Sequence, residues 1–135
     1  MPDSIEVSQM IPATPDEIYE AWLDADKHAE MTGGGATCDA RVGGKFTAWD
    51  DYISGTILEL EPGKRIVQAW RTTEFPARSK DSRLEIVLEA VKGGTRVTLR
   101  HSNIPKGQGP SYEQGWTDYY FAPMLEYFGA EIDVD

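Results

Sequence analysis

The sequence predicts an α+β fold, an antiparallel sheet curved around a long C-terminal helix, and three observations predict it. Aromatic and aliphatic residues recur at helical spacing from Gly115 to Phe128. A helix-start signal stands at Thr14-Pro15-Asp16-Glu17, and alternating strand patterns divided by glycine turns fill the middle of the chain. A helix with so wide an apolar face needs a large partner surface, which a curved sheet supplies. The order is one strand, two helices, six strands and a helix, taken as a single domain over residues 1–135.

Ile5, Val7 and Ile11 stand at even spacing and give the first strand one buried face. Thr14 then serves as N-cap, Pro15 as the first helical residue and Glu17 as the reciprocal cap, so the free amides of a new helix are satisfied. Ile18, Ala21, Trp22 and Ala25 form its inward stripe. Asp24 or Asp26 caps a second short helix through Met31, which Gly33-Gly34-Gly35 ends.

From Ala36 to Ser102 short strands reverse at Gly43-Gly44, Pro62-Gly63-Lys64 and Lys92-Gly93-Gly94-Thr95. Leu84, Ile86, Leu88 and Ala90 alternate with Arg83, Glu85, Val87 and Glu89, and Val97, Leu99 and His101 with Arg96, Thr98 and Arg100 on the next strand. The same period turns Phe46 and Ala48, then Thr56, Leu58 and Leu60, then Ile66, Gln68 and Trp70 inward. Trp49, in phase with Lys45 and Thr47, is the tryptophan best placed for exposure. Thr72 to Asp81 and Asn103 to Ser111 read as loops.

On the terminal helix Trp116, Tyr119, Tyr120, Met124, Tyr127 and Phe128 share a face, with Phe121 and Leu125 as a second stripe. Pro123 removes an amide donor and clashes with the carbonyl of Tyr119, which predicts a kink over Tyr119 to Pro123 that sets the width of the space beneath. Tyr119 and Tyr120 carry hydroxyls that seek partners when buried.

Composition excludes several classes. Asp and Glu total 23 against 13 Lys and Arg, a net charge of -10 that repels phosphate backbones, so nucleic acid is not expected as a partner. No apolar run reaches the ~20 residues that span a bilayer, so membrane insertion is not expected either. The N-terminus lacks the basic and apolar regions of a signal peptide, which points to the cytoplasm. Cys38 stands alone, and no metal motif, phosphate loop, Ser-His-Asp order or dinucleotide fingerprint is present, so no cofactor is expected. The acidic end Glu131 to Asp135 reads as a terminal tail.

Gly43-Gly44-Lys45-Phe46, Ser54-Gly55 followed by Leu58-Glu59-Leu60-Glu61-Pro62, Ile66-Val67-Gln68-Ala69-Trp70-Arg71 and Gly115-Trp116 through Phe128 occur in a familiar order. In these segments the chain resembles the activators of heat-shock protein 90 ATPase, specifically their C-terminal domain and its stand-alone bacterial relatives, within the START and birch-pollen-allergen helix-grip superfamily. The resemblance covers nearly the whole chain. It implies the helix-grip order β-α-α-β6-α and, from superfamily members that hold sterols, hormones or polyketides, a hydrophobic ligand between helix and sheet. It also implies a chaperone as a possible partner and a place in the stress response. The Asn-x-Trp-His-Trp motif of the eukaryotic members' separate N-terminal domain does not occur in this sequence.

The resulting expectation is a non-enzymatic domain whose cavity is lined by Phe46, Leu58, Gln68, Trp70, Leu84, Ile86, His101, Tyr120 and Met124. Two alternatives stand beside it. One is a chaperone-associated interaction module that uses the outer sheet face. The other is a cyclase or hydrolase in which His101 moves a proton with Asp50 or Glu113, against the simpler role of a core histidine satisfied by its neighbours.

Overall fold

The structure, a computed structural model, describes residues 2–132, with side chains described through Gly129. The acidic end read as a tail lies outside the residues described in full. Strand β1 (Asp3–Ile11) is followed by α1 (Pro15–Leu23) and α2 (Ala25–Thr32), then by β2 (Thr37–Cys38), β3 (Lys45–Ala48), β4 (Ile53–Glu61), β5 (Arg65–Thr72), β6 (Ser82–Val91) and β7 (Gly94–Ile104). The terminal rod comprises α3 (Gly109–Trp116), a π-helical turn (Thr117–Phe121) and α4 (Ala122–Ile132). The seven strands form one curved antiparallel sheet in the order β1-β7-β6-β5-β4-β3-β2, so the first strand closes against the last.

The helix-start signal operates as its residues dictate. Thr14 Oγ1 accepts from the Glu17 amide at 3.2 Å, and the Glu17 carboxylate accepts from the Thr14 amide at 2.9 Å. Asp24 caps α2 by accepting from the Lys27 amide, and Gly33, at φ +87°, ends it in the left-handed conformation. Leu84, Ile86 and Leu88 on β6, with Val97, Leu99 and His101 on β7, face inward and are buried. Against them α1 sets Ile18, Ala21 and Trp22, and the rod sets Trp116, Tyr120, Met124 and Phe128.

Two local expectations need correction before the terminal rod is reached. In β4 the alternation turns Ile57 inward and leaves Leu58 43% exposed, because a bulge between Ile57 and Glu59 places Leu58 opposite no residue of β5. Beyond the bulge the phase is restored and Leu60, opposite Ile66, again packs against the core. The segment read as a loop from Asn103 to Ser111 shrinks at both ends, since β7 runs to Ile104 and α3 begins at Gly109 with Pro110 in its first turn. Asp3 fixes that start by accepting from the Gly107 and Gly109 amides, each at 2.9 Å.

Pro123 is accommodated by the π turn. The Ala122 amide reaches back to the Thr117 carbonyl, five residues away, and the wider turn draws the carbonyls ahead of the proline ring apart. It serves a second purpose. Trp116, Tyr120, Met124 and Phe128 recur at intervals of four residues, which in an ideal α-helix drift by about 40° per step. The wide turn absorbs that drift and all four remain buried, while Tyr119 is turned out to 59% exposure and Leu125 to 38%. The hydroxyl expected to be buried at Tyr119 is therefore at the surface.

Candidate functional site

A cavity of about 460 Å³ lies between the first half of the terminal rod and the β3–β5 end of the sheet. Trp49 and Tyr52 line it from the β3–β4 connection, Ile53 from the start of β4, and Trp70 and Glu74 from β5 and the loop beyond. Ser111, Tyr112, Gly115 and Trp116 contribute from α3, and Tyr119 and Tyr120 from the π turn. Glu74, Ser111 and Tyr119 are exposed, so one side of the cavity meets solvent, whereas Trp70, Trp116 and Tyr120 form its buried floor.

The β3–β4 connection is shaped for this task. Trp49, Asp50 and Asp51 all have positive φ, at 51°, 54° and 73°, a conformation that costs energy in residues with side chains. The reversal lays the Trp49 ring against Gly34, where an added Cβ would sit 2.5 Å from Cε3, and edge-on to Tyr119 at 5.7 Å between ring centres. Asp50 secures the turn by accepting from the Gly35 amide at 3.2 Å. Gly33-Gly34-Gly35 is thus a helix stop and a seat for Trp49. Trp49 itself is half-buried at the cavity wall, not the exposed tryptophan that its strand phase predicts.

A ring of hydrogen bonds fixes the rim. Thr72 Oγ1 donates to the Tyr112 hydroxyl at 2.6 Å, which donates to Gln108 Oε1 at 2.9 Å. Gln108 Nε2 donates to the Glu74 carbonyl at 3.1 Å, and the Glu74 amide returns to Thr72 Oγ1 at 3.1 Å. The Tyr52 hydroxyl donates to the Glu74 carboxylate. Burial, then this bond, raise the Tyr52 phenol above its ordinary pKa.

Both histidines stand in the frame, each with both ring nitrogens occupied. Trp116 Nε1–H donates to His101 Nδ1 at 3.2 Å; His101 Nε2–H donates to Ser82 Oγ at 2.7 Å; Ser82 donates to the Trp70 carbonyl at 2.6 Å. This chain admits one tautomer and a neutral ring, and burial lowers the His101 pKa to about 3. His28 takes the opposite tautomer: Nδ1–H donates to the Trp22 carbonyl at 3.0 Å and Nε2 accepts from the Tyr120 hydroxyl at 2.9 Å. Burial lowers its pKa as well, and raises that of Tyr120. Of the acids considered for His101, Asp50 is engaged with Gly35, and the ring is held by Ser82 and Trp116 rather than by Glu113.

Among the residues expected to line a cavity, Trp70 and Tyr120 do so. Phe46 and Gln68 instead line, with His28 and again Trp70 and Tyr120, a second space of about 10 Å³, room for roughly one water molecule. Leu84, Ile86 and Met124 are wholly buried in the core, and His101 is packed behind Trp70 and Trp116 with ring centres 4.6 and 5.8 Å away. Leu58 is turned out by the bulge. The residues missed are those of the β3–β4 connection, the rim and α3.

Residues 12–129 match the family of the activator of Hsp90 ATPase homolog 1-like proteins. The chain belongs to that family. It is 28% identical over 125 residues to the human activator of 90 kDa heat shock protein ATPase homolog 1, an alignment that covers 93% of this chain and 37% of the human protein. The chain therefore spans a little over a third of the length of that relative. The crystal structure of an HSP90 activator from Plasmodium falciparum superposes with a TM-score of 0.85 at 25% identity, covering 93% of this chain and 96% of that one. CalU16 from Micromonospora echinospora gives 0.76 at 27% identity, over 93% and 74% of the two chains. The fold these two structures share with the chain is the helix-grip arrangement described above.

Proposed function

We propose that this domain binds a small hydrophobic molecule in the cavity between the terminal rod and the sheet. The observation that carries the reading is the cavity itself: about 460 Å³ falls within the roughly 300–1,000 Å³ usual for ligand sites, and most of its wall is aromatic. Strained backbone at Trp49 to Asp51 and the ring of hydrogen bonds at the rim support it, because both hold the wall open around a space that core packing alone would fill. The reading is of a binder, not a catalyst: each nitrogen of His101 already serves a structural partner. Native mass spectrometry of the purified protein and tryptophan fluorescence with a panel of sterols and aromatic polyketides test it. Quenching that a bulky substitution such as Gly115→Phe abolishes is the expected result, and an unresponsive spectrum across the panel counts against the proposal.

Family membership favours a second reading, a module that contacts a heat-shock protein 90 partner in a cytoplasmic stress response. Pull-down with that chaperone and measurement of its ATPase rate separate the two, since Gly115→Phe leaves a contact made through the outer sheet face unchanged.

A further inference from the structure

We infer that the cavity selects an organic cation, an aromatic or alicyclic amine with a protonated or quaternary nitrogen, over neutral and anionic molecules of the same shape. The inference rests on the ligand-binding reading and assigns its chemical class.

Charge is the first ground. Among the described residues that line the cavity Glu74 alone carries a formal charge, and none is Lys, Arg or His. The Tyr52 hydroxyl donates to Glu74 Oε2, and the Gln108 amide holds its backbone, so the carboxylate is placed at the rim rather than left to wander. A ligand carboxylate would meet like charge there and find no cation within the site, and the net charge of -10 adds to its exclusion.

The rings are the second ground. Trp49, Tyr52 and Tyr119 stand toward the solvent side of the wall, and Tyr112, Trp70 and Trp116 are its buried rings. Indole and phenol rings carry negative potential over their faces, which attracts a cationic nitrogen and repels an anion. Trp49 and Tyr119, ring centres 5.7 Å apart and 73° between planes, form a corner of two differently directed surfaces. Aromatic faces beside a single carboxylate are the chemistry that recognises an ammonium group.

Calorimetry with three probes of one shape, 1-naphthylmethylammonium, 1-naphthylmethanol and 1-naphthoate, tests this on the full chain. The ammonium is expected to bind at least about fivefold more tightly than the alcohol, and naphthoate the least tightly. Glu74→Gln should reduce the ammonium to the affinity of the alcohol while the alcohol itself is unaffected, and Tyr52→Phe should produce part of that loss. Thermal melts verify that both variants fold; Glu74 is exposed, and its carboxylate holds the Tyr52 hydroxyl at the rim. Equal affinity for ammonium and alcohol, or a preference that survives Glu74→Gln, overturns the inference and leaves the ligand-binding reading intact. Failure of all three probes to bind overturns the inference, and the ligand-binding reading is then decided by the sterol and polyketide panel.

Discussion

His101 offers a quantitative test of the interior, because its surroundings forbid one protonation state. The neutral ring accepts at Nδ1 from the Trp116 indole and donates at Nε2 to Ser82. A second proton would place N–H against N–H, and an indole nitrogen cannot reverse its role. The folded pKa of about 3 lies below the unfolded value of about 6.5, so between these limits the unfolded chain takes up a proton that the native state refuses. Stability from this group is therefore complete above pH 6.5 and declines as pH falls toward 3. Integrated from pH 7.5 to 5.0, the loss amounts to about 2 kcal/mol. Urea denaturation of the wild type and His101→Gln at the two pH values isolates it, since every other ionisable side chain is common to both proteins. The stability gap between them should narrow by about 2 kcal/mol at pH 5.0. A gap that remains constant, or an imidazole NMR signal showing a charged ring in the folded state at pH 5.0, refutes the tautomer chain.

Further perturbations probe the frame around the cavity. Ile57→Ala should cost about 2–5 kcal/mol in denaturant melts while Leu58→Ala stays within about 0.5, the reverse of what unbroken alternation demands. Gly34→Ala should push the Trp49 ring from its seat, seen as a red shift of tryptophan emission with a loss of about 1–3 kcal/mol, and an unchanged spectrum would contradict that contact. Asp3→Ala removes the acceptor for two amides at the head of α3 and should cost about 1–3 kcal/mol, with faster hydrogen exchange at Gly107 and Gly109.

Where one face of a strand is buried and the other wet, the chain is legible without coordinates. Leu84 to Leu88 and Val97 to His101 show it, as does the reciprocal cap at Thr14. Legibility fails where a contact is made by residues far apart in sequence. The β4 bulge depends on pairing with β5, and nothing in Thr56-Ile57-Leu58 announces it. The head of α3 is capped by Asp3, 106 residues away, so Gly109 and Pro110 resemble loop residues. His28 was discoverable, since it shares an i, i+3, i+4 face with Met31 and Thr32, yet its partner Tyr120 lies 92 residues further on. The cavity wall is the least legible part. It is assembled from a left-handed reversal and a hydrogen-bonded rim, whose residues follow no period.

The terminal rod holds one residue more than a regular coil of its span requires, and that surplus lies just ahead of Pro123. Two irregularities that would each be a fault alone make a workable pair. The imino acid finds room only because the coil has been let out, and the coil stays let out because the imino acid cannot be drawn back in. Relatives with another amino acid at this place are expected to have shed the surplus too, and their buried large side chains should return from a strict interval of four to a mixture of threes and fours.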